Sequence, residues 1–141
     1  MRDSLVSGTK AAGIAVYGRP ATIERCEVRD VAPDRAGKFG DGVIIQGASG
    51  ALRLEGSVVE GCARAGVSVF GASLTIGASA LRCNAIDLDV ESRWVEATGI
   101  VEHEVSLIDS GGTVCGCGDA LSRCHGRSAA LEPLPPPPPL P

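Results

Sequence analysis

Residues 66–84 read "GVSVFGASLTIGASALRCN". Apolar residues alternate at Val67 and Val69, break at Gly71, and alternate again at Leu74 and Ile76. Alternation is the period of a strand, whereas an amphipathic helix repeats about every 3.6 residues and loses stability with each glycine. The stretch therefore predicts short strands joined by glycine-containing turns.

It is one copy of a repeat. With "IGASALRC" (76–83) as the template, "LEGSVVEG" (54–61) and "IERCEVRD" (23–30) follow the same order: an aliphatic residue, two variable ones, Ser or Cys, one variable, then Val or Leu. "MRDSLVSG" (1–8) joins from its Ser onward. The anchors are Ser4, Cys26, Ser57 and Ser79, at spacings of 22, 31 and 22, the middle one being a repeat plus an insertion. A second run begins nine residues after Ser4 and Ser57, as "GIAV" (13–16) and "GVSV" (66–69), and again beyond the insertion after Cys26 as "GVII" (42–45), with "DLDV" (87–90) as a degenerate copy after Ser79. Gly18, Gly47, Gly71 and Ser92 follow these runs as turn residues. A copy of about 22 residues has no room for two helices with loops, but it suits two short strands of a parallel β-solenoid coil. Ser, Cys and other small residues would then stack at inward corners, and glycine would supply the turn conformations.

The three G-[IV]-x-[VI] runs and the [IL]-x-x-[SC]-x-[VL] runs resemble the right-handed parallel β-helix repeat family, the pectate-lyase-like (pectin lyase-like) solenoids. The resemblance covers roughly residues 1–92 and is specific for fold rather than function; the handedness of the coil comes from it alone. The Leu and Asn spacing of a leucine-rich repeat is absent. The expected fold is thus all-β, a right-handed parallel β-helix of about 3–4 rungs spanning 1–109, with an insertion loop at 32–41. A Cys/Gly-rich irregular segment follows at 110–131, then a proline-rich tail at 132–141, extended and outside the fold. "GIVEHEVSLID" (99–109) would add one more strand pair. The first copy starts at its second half, and "MRDS" makes a poor end cap. That suggests a fragment or the C-terminal part of a longer β-helix, with end-to-end self-association at the uncapped N-terminal rung.

Composition narrows the function. Seventeen acidic residues against thirteen basic ones, net −4, argue against nucleic acid as a partner. No apolar run is long enough for a membrane span, and the first ten residues lack the pattern of a signal peptide. Only 3% of residues are aromatic while 19 are Gly, a core composition suited to narrow stacked layers.

Enzymes of the resembled family suggest where chemistry would sit. Glycosidases need a pair of carboxylates at a set separation. "FGDGVII" (39–45) has the Asp-Gly strand start of polygalacturonases, but the Asp-Asp and Gly-His-Gly signatures are missing. One outward column of the second run reads Ala15, Ile44, Ser68, Asp89, a single carboxylate among apolar and small residues. No catalytic residues are assigned and no cofactor is expected. "IDLDVE" (86–91) places Asp87, Asp89 and Glu91 on one face, either as calcium ligands or as a solvated outer surface.

A second outward column reads Tyr17, Gln46, Phe70, Glu91. Coils stack at about 4.8 Å, so two rings with an amide between them would suit stacking on a polysaccharide. The competing reading folds both rings beneath a turn or loop. The insertion "APDRAGKFGD" (32–41) concentrates Asp34, Arg35 and Lys38 beside that column, as a binding loop or a solvated spacer.

Six cysteines divide into two groups. Cys26 takes a Ser anchor position and should be a buried small residue. Cys62 and Cys83 fall one register apart on successive copies, within disulfide reach. Cys115, Cys117, Cys124 and His125 are weak metal candidates, because C-x-C-x6-C-H is not a common zinc spacing. A disulfide from Cys124 to Cys115 or Cys117 is the competing reading. An even cysteine count favours an extracellular or cell-surface location. "PLPPPPPLP" (133–141) reads as a stiff tail or as a ligand for aromatic-lined grooves. The expected function is a non-catalytic scaffold or weak carbohydrate binder. The alternative is the C-terminal remnant of a polysaccharide lyase or glycoside hydrolase whose catalytic rungs are missing.

Overall fold

The computed structural model describes residues 1–96 and 98–135, and within them the chain is all-β with parallel sheets. Strands come in threes. The first sheet takes β1 (Leu5–Ser7), β4 (Glu27–Arg29), β7 (Val58–Glu60) and β10 (Ala80–Arg82). The second takes β2 (Ala12–Tyr17), β5 (Asp41–Gln46), β8 (Ala65–Phe70) and β11 (Ile86–Glu91), and the third β3 (Pro20–Glu24), β6 (Ala51–Glu55) and β9 (Ser73–Gly77). From β1 to β8 each strand pairs in parallel with the strand three places later, in a register that matches copy to copy: Val28↔Val59↔Leu81, Ile14↔Val43↔Val67↔Leu88, Ile23↔Leu54↔Ile76.

A copy therefore holds three strands where the sequence pattern predicts two. The [IL]-x-x-[SC]-x-[VL] run is split by a corner: Ile23 ends up in β3 and Val28 in β4. Both faces of that corner point into one core, so the run reads as a continuous strand although the chain turns within it. Inward side chains of all three sheets, among them Val28, Val59, Leu81, Val43, Val67, Leu54 and Leu74, form a single buried cluster. Burying each such side chain contributes about 1.5–3 kcal/mol.

The anchors do more than fill space. Each hydroxyl or thiol donates to the carbonyl two residues earlier: Ser4 to Arg2 at 2.6 Å, Cys26 to Glu24 at 3.3 Å, Ser57 to Glu55 at 3.0 Å, Ser79 to Gly77 at 2.8 Å. From Cys26 onward the backbone N–H of each anchor donates to the next hydroxyl: Cys26 to Ser57 at 3.1 Å, Ser57 to Ser79 at 3.1 Å, Ser79 to Thr113 at 3.4 Å. A buried corner N–H without a partner would cost about 1–3 kcal/mol, which is why a small polar residue recurs there. Thr113 is a further rung of this ladder that the spacing of the anchors does not announce.

Turn chemistry differs from the expectation at two corners. Asp3, Arg25, Gly56 and Ala78 follow one another in the left-handed region at one corner, and Gly8, Asp30, Gly61 and Cys83 at the next. Only the third corner, Gly18, Gly47 and Gly71, is glycine throughout. By contrast, Gly13 and Gly42 open their strands because there is no space for a side chain. A Cβ on Gly13 would lie 2.7 Å from Val28 Cγ1, and one on Gly42 2.6 Å from the Gly66 carbonyl.

After β11 the regular succession is interrupted. β12 (Arg93–Glu96) and β13 (Gly99–Glu102) form an antiparallel pair, and β14 (Ser106–Gly111) returns to the third sheet in parallel with β9. Thus "GIVEHEVSLID" yields one strand of a side hairpin and one of the main sheets. β15 (Val114–Gly116), in the stretch expected to be irregular, adds to the first sheet beside β10, and β16 (Ser122–Arg123) closes on it antiparallel. Disulfides Cys83–Cys117 and Cys115–Cys124 lock this end. Cys62 does not pair with Cys83; it is buried and free, as is Cys26.

The tail also departs from expectation. Pro133 and Leu134 are buried, so residues 132–135 belong to the fold rather than lying outside it. The remaining prolines, 136–141, lie outside the described residues.

Candidate functional site

The outer face of β2, β5, β8 and β11 carries most of the residues singled out by sequence. The strand register aligns Tyr17↔Gln46↔Phe70↔Glu91 and Ala15↔Ile44↔Ser68↔Asp89, the two outward columns expected from the repeat. That face is not open to solvent. Gln46 is 2% exposed and Phe70 and Ile44 are wholly buried, so the exposed ring–amide–ring column does not exist. Phe70 packs with Ile44, Trp94 and Leu134, and Tyr17 is half-buried at the margin of the same cluster. The competing reading, rings beneath a covering segment, describes Phe70.

The cover is the chain's own segment 127–134. Arg127 bridges in parallel to Asp89: Val90 N donates to the Arg127 carbonyl at 3.0 Å, and Arg127 N donates to the Leu88 carbonyl at 3.4 Å. The segment then wraps the Glu91 carboxylate, which accepts from Ser128 Oγ at 2.7 Å, Ala129 N at 3.0 Å and Leu131 N at 3.1 Å. Ala130, at φ 54°, supplies the left-handed step that lets the N–H groups on either side converge on one anion. Asp89 Oδ1 takes a second bond from Ala129 N at 3.0 Å. Further along, Arg64 Nη1 donates to the Glu132 carbonyl at 2.7 Å and Gln46 Nε2 to the Leu134 carbonyl at 3.0 Å. Trp94 walls the apolar end; a Cβ on Gly71 would lie 2.8 Å from its Cζ3.

Asp87, Asp89 and Glu91 are therefore not a solvated face. Asp89 is wholly buried and Glu91 is 5% exposed. Asp87 accepts from Asn84 Nδ2 at 3.0 Å and Gly116 N at 2.8 Å, tying β11 to β15. These oxygens hold backbone N–H groups, the opposite of what a calcium ion asks of them. Among the described residues no group of His, Cys, Asp or Glu has the arrangement of a metal site.

Electrostatics follow from burial. Burial pushes the Asp89 carboxyl up to about 7, against the Ala129 N–H and with the help of the neighbouring Glu91 charge. Burial also works against ionised Glu91, but Ser128 and the Leu131 and Ala129 N–H groups outweigh it and hold its pKa below the ordinary value. Asp41 is wholly buried and its pKa is raised by burial, although Arg64 Nε lies 2.9 Å from Oδ1 and Nη2 is also bonded. Ser68 Oγ donates to Asp41 at 3.2 Å, and Phe39 lies 5.0 Å beneath the guanidinium. Gln46 Oε1 is buried without a partner, whereas the Asp89 carboxyl, when protonated, hydrogen-bonds the Glu91 carboxylate.

A carboxyl titrating near neutrality is the kind of group acid–base chemistry uses. Asp89, however, sits beneath the covering segment with one oxygen committed to it, and Asp41 is committed to Arg64. What the arrangement does is hold an extended stretch of peptide.

The insertion loop is not joined to this cluster as a set. Asp34 Oδ1 accepts from Ala36 N and Lys38 N, both at 2.9 Å, so its work is to fold the loop. Arg35 is exposed, and Lys38 faces Glu132 of the covering segment at 3.7 Å. Cys115, Cys117 and Cys124 are all in disulfides and have no thiolate to offer zinc, while His125 is exposed nearby. A separate hollow of about 520 Å³ is lined by Glu91, Arg93, Glu102, His103, Glu104 and Ser128. Sequence reading misses Arg64, Trp94 and Leu134; the single Trp and the Leu residues interrupting the proline run are the signals that point to them.

No protein family, curated protein or solved structure matches the chain.

Proposed function

We propose that the chain is a non-catalytic right-handed parallel β-helix module that serves as a structural scaffold in a secreted or surface protein. The observation carrying the scaffold reading is that the chain's own segment 127–134 occupies the outer face on which substrate would have to lie, and that segment or Arg64 takes up Asp41, Asp89 and Glu91. The β-helix reading draws its support from the parallel pairing of each strand from β1 to β8 with the third one on, and from the Cys26–Ser57–Ser79–Thr113 ladder. Two disulfides suit an oxidising compartment. At the other end β1, β2 and β3 are edge strands with Met1 and Leu5 exposed, and a second copy would add there.

Polysaccharide binding would have to use Tyr17 with Asp34, Arg35 and Lys38, since Gln46 and Phe70 are covered. A glycan-array screen of the purified chain beside Tyr17→Ala tests the reading. The scaffold reading expects no saturable binding by either; binding that Tyr17→Ala removes would replace it with a carbohydrate-binding one.

A further inference from the structure

We propose that the outer face of β5, β8 and β11 is a docking site for an extended peptide of another protein, and that residues 127–134 are its resident intramolecular occupant. The contacts that hold the resident are those of peptide recognition. Glu91 collects the N–H groups of Ala129 and Leu131, while Arg64 and Gln46 each take a carbonyl, at Glu132 and Leu134. One side chain, Leu134, fills the apolar pocket made by Ile44, Phe70 and Trp94. Apart from Ser128 Oγ and the Lys38–Glu132 ion pair, the polar contacts to the segment are to its backbone, so a peptide of different sequence with an apolar residue at the Leu134 position meets most of the same partners.

The resident leaves the site incomplete. Gln46, 2% exposed, grips it through Nε2 while its Oε1 remains buried with no donor. Pro133 and Pro135, which flank Leu134, have no N–H to give. A peptide that brings an N–H or hydroxyl to Gln46 Oε1 gains a bond that the resident does not make. This argues for a different protein rather than a second copy as the donor of the peptide. A second copy would present the same prolines, leave Gln46 Oε1 unpaired, and compete with a tethered segment at high effective concentration. Release is also local: only His125 and Gly126 separate Arg127 from Cys124, whose disulfide to Cys115 stays in the body.

The full-length chain carrying Leu134→Asp, which weakens the resident without touching the face beneath, is titrated with a fluorescent peptide of sequence RSAALEPL (residues 127–134) and read by anisotropy. Saturable 1:1 binding is expected, at least tenfold tighter than to the wild-type chain. It should fall at least tenfold when Gln46→Ala is added or when the peptide's final Leu is replaced by Asp. A peptide array of single substitutions should contain donor-bearing variants that bind better than the parent, and Gln46→Ala should remove part of that gain. No saturable binding to a Leu134→Asp chain with the wild-type circular dichroism spectrum overturns the proposal, as does binding indifferent to both changes. Should Leu134→Asp not fold, Leu134→Ala carries the same readout. A wild-type dimer in sedimentation velocity that Leu134→Asp abolishes would give the face to a second copy and equally overturn it.

Discussion

The stack of strands from β3 to β11 and the C-terminal stretch from Thr113 to Leu134 bury similar chemistry by different means. In the stack each contact recurs: Val28 lies under Val59 and Val59 under Leu81, and the anchor N–H of one copy meets the hydroxyl of the next. In the C-terminal stretch the recurrence ends with Thr113 and β15. Two disulfides, one carboxylate wrapped by N–H groups and one leucine in a pocket hold it. A repeated interaction spreads its energy over many sites, so no single copy decides the fold, yet a cavity in the shared core is felt on both sides. A set of single contacts can be undone one at a time.

The largest effect is expected in the stack. Leu54→Ala removes a fully buried side chain whose neighbours in register are Ile23 and Ile76, and should cost about 2–5 kcal/mol in urea unfolding. Loss confined to the third sheet, with β4 and β7 amides still protected in hydrogen exchange, would break the picture of one shared core. Next comes removal of the Cys115–Cys124 disulfide by Cys115→Ala with Cys124→Ala, at about 2–4 kcal/mol for the segment it closes. Protection of Val114–Gly116 and of residues 127–134 should collapse while β5 and β8 amides keep theirs. Simultaneous loss everywhere would make the two regions a single cooperative unit.

How much of this is readable in sequence follows the same division. In β5 and β8 the inner positions Val43, Ile45, Val67 and Val69 must stay apolar, because a one-residue slip would turn them outward. That constraint writes strand period and register into the chain, and the anchors are legible because each must satisfy a corner N–H. The third strand of each copy is hidden because its corner keeps apolar residues on the same inner side. The covered face is hidden for another reason. The partner of Gln46 lies 88 residues away, and "LEPLP" by itself has the composition of a solvated extended tail. Glu91 and Asp89 read as a polar outer face, since no local signal tells a carboxylate exposed to water from one wrapped by distant N–H groups.

Protonation sharpens the comparison, because Asp89 sits where the two regions meet. Its folded-state pKa, about 7, lies above the unfolded carboxyl value of about 3.8, so the folded chain binds the extra proton. The associated stability is present below the unfolded value and is lost as pH rises through about 7. Wild-type stability should therefore fall by about 2–3 kcal/mol between pH 5 and pH 8, at 1.36 kcal/mol per unit. Asp41, also raised by burial, acts in the same direction, whereas Glu91, held low, contributes stability that is lost only as pH falls through its folded value. Asp89→Asn keeps an acceptor for Ala129 N and should flatten most of the slope in melts recorded across that range. An unchanged slope in the variant would move the titration to Asp41.

The smallest effect tests the ladder itself. Ser57→Ala deletes the acceptor for Cys26 N and the donor to the Glu55 carbonyl, in a corner that is 2% exposed and closed to water. The expected cost is about 1–2 kcal/mol in urea unfolding, the penalty of one buried N–H left without a partner. Its spread is more informative than its size. Ser79 and Thr113 continue the same ladder toward the disulfide-locked end, so a Ser57→Ala change that also lowers hydrogen-exchange protection at β15 would show the ladder transmitting order into the C-terminal region. If protection at β15 is untouched, each rung is an independent bond, and β15 owes its order to its pairing with β10 and to Cys83–Cys117 and Cys115–Cys124.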